Sequence, residues 1–331
     1  MKIFLALIPV LLFLLLLYLL DSFRLVRLRT LVFIFMAGIL SAVIAWFINT
    51  GLLNATKMEF KLFSWYISPV VEELLKAMVI LFLIIRKRIG FLIDAAIYGF
   101  ATGAGFAVFE NSFYLVTSPD PNLMVWMLRG LGTAIMHSGS TALIAISTIG
   151  VLNLEKKMYT GFVPGLIMAM LIHSGFNHFY IQPVIQSLLM LVLIPLFLIF
   201  TFLMNEKQLQ NWLEIEFYNE AELLSMMNRG EFSKSKSGQY LASLKTYFQA
   251  EMILDMYCYI SVYLELSIKS KRNMLLAECG FPAMKEPGLD EKITEFKHLR
   301  KNLGKTGELA LSPLIKLKQR DLWKLTTIET S

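Results

Sequence analysis

Seven apolar stretches fill the first part of the chain, at residues 3–20, 31–52, 62–85, 91–116, 124–151, 162–180 and 184–204. Runs of this kind match the roughly 20 residues that a helix needs to cross a hydrocarbon core about 30 Å thick. They predict an all-α, polytopic membrane bundle of about seven spans over residues 1–204. Residues 3–20 have only Lys2 ahead of them and lack a small-x-small cleavage site, so they read as a retained first span rather than a leader. Basic clusters occupy every second connection: Arg24, Arg27 and Arg29, then Arg86, Lys87 and Arg88, then Lys156 and Lys157, then Lys207. Cytoplasmic loops carry the excess of Lys and Arg. The expectation is a multi-pass protein of the cell (inner) membrane, with its N-terminus outside and its C-terminal part inside.

The pattern changes after residue 204. Residues 207–228, 239–270 and 290–303 alternate apolar and charged positions at helical spacing, with a polar turn at 233–238 and Gly/Pro breaks between 280 and 288. Residues 205–331 therefore predict a cytoplasmic helical domain suited to a partner, to self-association, or to no role beyond its own folding. Its histidine, His298, stands among Lys297, Arg300 and Lys301 and reads as solvated. No catalytic constellation is visible there.

The third apolar run is interrupted by Glu72-Glu73-x-x-Lys76. Ionised groups at the centre of a span cost roughly 2.5–3.5 kcal/mol each, so such a helix must turn that face into a bundle. Glu73 reaches Lys76 from three residues away and Glu72 from four, and one ion pair leaves the other carboxylate free. Further polar groups follow on later spans: Phe106-x-x-x-Glu110-Asn111, then His137 among small and hydroxyl residues, then His173-x-x-x-Asn177. His173 and Asn177 share a helix face, whereas His178 points about 140° away. Depth can be counted from the outer ends of the runs, since each helical residue rises about 1.5 Å. On that count Glu72 lies at about 15 Å, His137 at about 20 Å, His173 at about 10 Å and Glu110 at about 9 Å. Four helices thus bring costly groups to one slab of the bilayer.

Composition narrows the class. The 331 residues are 56% hydrophobic and 17% charged, which excludes an ordinary soluble domain. The net charge of +6 is uneven, with 13 basic and 8 acidic residues up to Met204 and 18 and 17 after it. The excess belongs to membrane loops, and no nucleic-acid partner is expected. Cys258 and Cys279 are spaced too widely for a metal knuckle and read as reduced thiols.

Two carboxylates, two histidines and an amide are the parts for activating water: a desolvated carboxylate as general base, a histidine to move a proton, and donors for an oxyanion. Serine, cysteine and aspartyl mechanisms lack candidates in the spans. No His-Glu-x-x-His is present, so no cofactor is certain. A divalent metal such as zinc stays open, with Glu72, Glu110, His137 and His173 as its ligands. The residues alone also suit a non-catalytic scaffold or a proton- or ion-coupled carrier.

In their order on four successive spans, these motifs resemble the PrsW intramembrane proteases, related to the CAAX prenyl endopeptidases and the Abi proteins. The resemblance covers about residues 60–180. It implies an intramembrane endopeptidase of the glutamate type, acting on a single-span membrane protein, with the first cut in an anti-sigma factor as the narrower case. It implies that Glu72 activates water, that Glu73 is held through Lys76 with Asn111 in support, and that His173 and Asn177 steady the oxyanion. The prenyl branch has His where this chain has Glu110, which leaves Glu110 or His137 as the partner of Glu72.

Overall fold

A computed structural model describes residues 1–21, 26–118, 120–154, 156–211, 217–282, 284 and 288–315. Arg24, expected in the first basic cluster, lies outside the described residues. Among the described residues there is no strand. The chain divides into two compact units, Met1–Asn205 and Glu206–Ser331.

The first unit is built from α1 (Lys2–Leu19), α2 (Leu28–Thr56), α3 (Phe60–Ile85), α4 (Leu92–Thr117), α5 (Leu123–Leu128), a π-helical turn at Arg129–Thr133, α6 (Ala134–Asn153), α7 (Tyr159–His178) and α8 (Pro183–Asn211). Among the described residues six segments are long and apolar enough to cross a membrane, one of them running from Leu123 to Asn153 through the π turn. The chain is a multi-pass membrane protein. The seventh expected span, α3, has the length, 26 residues or about 39 Å, but carries Lys61, Glu72, Glu73 and Lys76. Of these, Glu73 and Lys76 are completely buried in the bundle, Glu72 is partly buried and Lys61 is exposed.

α4 and α6 form the centre, buried nearly all round, whereas α1, α2, α7 and α8 bury a stripe each. Small residues make this possible, because backbones of membrane helices gain packing contact only by close approach. A Cβ on Gly103 of α4 would overlap the carbonyl of His137 and the Cα of Ser138 on α6. That one contact ties the turn bearing His137 to the middle of α4. Asp94 accepts from the backbone N–H groups of Gly90 and Phe91 at 2.9 and 2.8 Å and closes the start of α4. Pro69 lies inside α3. It has no N–H to offer the carbonyl four residues back, and Ser174 Oγ of α7 donates to that carbonyl, Trp65 O, at 2.6 Å.

The second unit holds α9 (Phe217–Asn228), α10 (Lys236–Ser243), α11 (Ala250–Glu278) and α12 (Leu289–Leu311). Tyr259 of α11 stacks on Phe296 of α12 with centroids 4.8 Å apart, in a core that includes Met256, Leu266 and Leu303. The continuous helix expected over 239–270 is corrected: it breaks at a 3₁₀ turn, Leu244–Thr246. Ser243 Oγ and Thr246 Oγ1 donate to carbonyls three residues back, at 2.6 and 3.0 Å. Such local bonds compete with the helical ladder. Part of the helix expected over 207–228 falls at 212–216, outside the described residues. Gly280 and Gly288 adopt φ +79° and +80°, the left-handed conformation that glycine takes at no steric cost, at the expected break.

Candidate active site

α3, α4, α6 and α7 deliver the polar groups to one cavity of about 400 Å³, whose lining includes Glu72, Glu110, His137, His173 and Asn177. Glu72 is fixed through one oxygen. Its Oε1 accepts from Ser68 Oγ at 2.5 Å and from Asn49 Nδ2 of α2 at 3.2 Å. Ser68, one turn before Glu72, also accepts from Asn49 at 2.9 Å. With Oε1 occupied, Oε2 is the oxygen turned to the centre, 3.7 Å from His173 Nε2.

Glu73 is enclosed. Its Oε1 accepts from Lys76 Nζ at 2.7 Å and from His173 Nδ1 at 2.8 Å, while Ser140 Oγ lies 3.4 Å from both oxygens. A carboxylate only accepts, so His173 carries a proton on Nδ1 and turns its Nε2 toward Glu72. His137 is set the other way round. Lys76 Nζ, which only donates, lies 3.1 Å from His137 Nδ1. The His137 proton is therefore on Nε2, 2.9 Å from Glu110 Oε2. That approach is a close contact without hydrogen-bond alignment. The two imidazoles meet edge to face at 4.6 Å.

Asn177 Nδ2 donates to Ser64 O at 2.9 Å, which ties α7 to α3 beside the cavity. Asn111 Nδ2 donates to Ala6 O at 2.9 Å, and its Oδ1 accepts from Arg129 Nε at 3.0 Å. His178 stays apart, stacked between Trp65 and Tyr180 with its Nδ1 on Ser174 O. His298 lies in the other unit, exposed.

Asn49, Ser68, Ser140 and Arg129 did not stand out in the sequence. Arg129 had a usable signal, being a charge inside an apolar run, the same mark that singled out Glu72. Asn49, Ser68 and Ser140 had none, because lone small polar residues are ordinary in membrane helices.

Residues 26–204 match the family described as PrsW family intramembrane metalloprotease. The chain belongs to this family. No curated protein and no solved structure matches the chain. The PrsW match begins after α1, although Asn111 bonds to an α1 carbonyl. Family membership supports a membrane protease role for residues 26–204, that of a peptidase acting on membrane-protein substrates.

The family's description implies a metal, and the donor set answers to one. Glu72, His137 and His173 each offer a ligand atom, all within 4.8 Å of one another. One carboxylate and two imidazoles form a zinc-type set, with His173 already bonded through its outer nitrogen to a carboxylate, as metal-bound histidines usually are. His137 joins that set through Nε2 in its other tautomer, with the ring proton on Nδ1 and Lys76 Nζ withdrawn from that nitrogen. Glu110, the fourth ligand considered from sequence, is engaged by Arg129 Nη2 at 2.8 Å.

Proposed function

We propose that this chain is an endopeptidase that cuts a single-span membrane protein inside the bilayer, with water activated where Glu72, His137 and His173 converge. The observation that carries the reading is the asymmetry of Glu72: two donors on Oε1 leave Oε2 facing Nε2 of His173 in a cavity. A divalent metal such as zinc held by Glu72, His137 and His173 would supply Lewis acidity and a water that ionises near neutral pH.

The chain's own groups divide the work. Glu73, locked by Lys76, orients His173. Where no metal is held, His137 offers its N–H, and Asn177, anchored on Ser64, offers its second amide N–H, to the oxyanion that forms on the scissile carbonyl. A carboxylate of the cavity takes the proton from water and returns it to the leaving amine. Glu72 is that carboxylate when no metal engages it; Glu110 is the second one on the wall when Glu72 is a ligand. The glutamate-type mechanism and the metal mechanism thus differ in which carboxylate moves the proton.

Orientation follows from the basic clusters. The N-terminus lies outside, the Glu206–Ser331 unit lies in the cytoplasm, and an outer-half cut suits the first cleavage of an anti-sigma factor. The test compares wild type with Glu72→Gln in purified, reconstituted form on a panel of single-span proteins. Cleavage should fall by about 10²–10⁴-fold at unchanged abundance and detergent behaviour. Metal analysis of the same samples separates the mechanisms: stoichiometric zinc, lost with activity on chelation, assigns Glu110 the proton, and full activity without metal assigns it to Glu72. A wild type that cuts nothing, with Glu72→Gln unfolding, would return the chain to a scaffold role.

A further inference from the structure

Arg129 stands inside a span, where a guanidinium costs roughly 2.5–3.5 kcal/mol, and neither the sequence motifs nor the family match gives it a task. Its partners are specific. Nη2 donates to Glu110 Oε1 at 2.8 Å, Nε donates to Asn111 Oδ1 at 3.0 Å, and the guanidinium lies over the Tyr114 ring at 4.0 Å. Those three residues lie on one turn of α4. Asn111 Nδ2 also reaches the Arg129 carbonyl at 3.4 Å, so a buried amide holds both ends of the same residue.

The backbone at Arg129 explains how this is possible. Arg129–Thr133 is a π turn, closed by Ala134 N–H on Arg129 O. In an unbroken α-helix Arg129 and His137, eight residues apart, would point about 80° from each other. One extra residue in a wide turn makes them behave like residues seven apart, within about 20°. The π turn therefore brings Arg129 and His137 to one face, where Glu110 lies between them with Oε1 on Arg129 and Oε2 on His137 Nε2. Gly130 fits the turn against α1, since a Cβ there would overlap Leu5 O.

We infer that Arg129 is a positioning residue: through the π turn it holds Glu110 on His137 Nε2, and it acts on the reaction only through that pair. The role deepens the protease reading, on which its kinetic consequence rests. Arg129→Ala should leave Glu110 without its clamp, and a small guanidinium added in solution should restore it, because the site opens on the cavity. Arg129→Lys keeps the charge but loses the fork and the Asn111 contact, and should rescue only in part.

The test uses the full chain in detergent, labelled with ¹⁵N-histidine. The chain has four histidines, and His137→Gln identifies the His137 signal. In Arg129→Ala the Nε2 resonance of His137 should shift, and millimolar methylguanidinium should move it back. On a single-span substrate that wild type cleaves, kcat should fall by about 10²-fold with KM unchanged, the scale of a misplaced catalytic group, and recover with the same additive. An unchanged His137 signal in folded Arg129→Ala overturns the inference whatever happens to cleavage. A shifted, rescuable signal in a chain that cleaves nothing supports the positioning role and overturns the protease reading instead.

Discussion

Two buried lysine–glutamate pairs, one in each unit, look alike by distance and differ in what surrounds them. In the membrane unit Lys76 Nζ lies 2.7 Å from Glu73, both side chains fully shielded. In the second unit Lys271 Nζ lies 2.9 Å from Glu220, the lysine fully shielded and the glutamate 13% exposed. Ser267 Oγ adds a bond to Glu220 at 2.8 Å. Apolar neighbours on the helix of Lys271, among them Leu264, Leu266 and Met274, are buried as well. The Lys76 pair touches both imidazoles of a cavity that also holds Glu72 and Glu110. A buried ion pair is thus weak evidence of function. The convergence of further titratable groups on open space is the stronger sign.

Removing each lysine should separate the two settings. Lys76→Met leaves Glu73 buried without its cation and should cost about 3–5 kcal/mol, read from unfolding of the chain in mixed detergent micelles. It should also abolish cleavage, because His137 loses the donor that fixes its tautomer. Lys271→Met should cost less, about 1–3 kcal/mol, since Glu220 keeps Ser267 and some water. Thermal melts followed by circular dichroism would show it, and cleavage of a membrane substrate should stay at the wild-type rate. Equal losses from the two changes, or a cleavage defect from the second, would erase the contrast.

Ser174→Ala refines the contrast within the membrane. The carbonyl freed by Pro69 would lose its donor, at about 0.6–1.7 kcal/mol, with a modest loss of cleavage from a looser α3. The smallest effect belongs to Glu265, which pairs with Lys269 at 2.9 Å and with Lys292. Burial raises its proton affinity, but bonds to Lys292 and Lys269 outweigh that and hold the carboxyl below its ordinary value of 4.5. A depressed folded value gives stability that is present above the unfolded value and lost as pH falls through the folded one. Glu265→Gln should therefore cost about 0.2–1 kcal/mol at neutral pH and nothing once the solution is acid enough to protonate the native pair. An equal cost in strong acid would mean that packing, not charge, carries the contact.

Much of the fold was legible because the bilayer restricts it. Backbone groups inside hydrocarbon must be bonded within the segment, so a long apolar run is a helix before any tertiary contact is known. The α3 span was legible for a second reason: its charges forced a buried face, and Glu73 and Lys76 are indeed fully covered. The break at Leu244–Thr246 was not, because Ser243 and Thr246 occur in helices and turns alike and only their bonds decide.

Residue order alone dictated the span-forming helices and the rare ionisable residues on four of them, since each such residue is too costly to be placed without partners. Packing chose which partner each one has. Helical periodicity relates residues within one element, but the separation of Glu72 from His173, or of Glu110 from His137, depends on how closely the helices approach, as α4 does α6 at Gly103. Packing also set the proton positions, since Glu73 and Lys76 impose opposite tautomers on two histidines that look equivalent in sequence. The π turn at Arg129–Thr133 is the extreme case. One residue more in a turn rotates all that follows by about 100°, and the pattern of apolar residues does not register it.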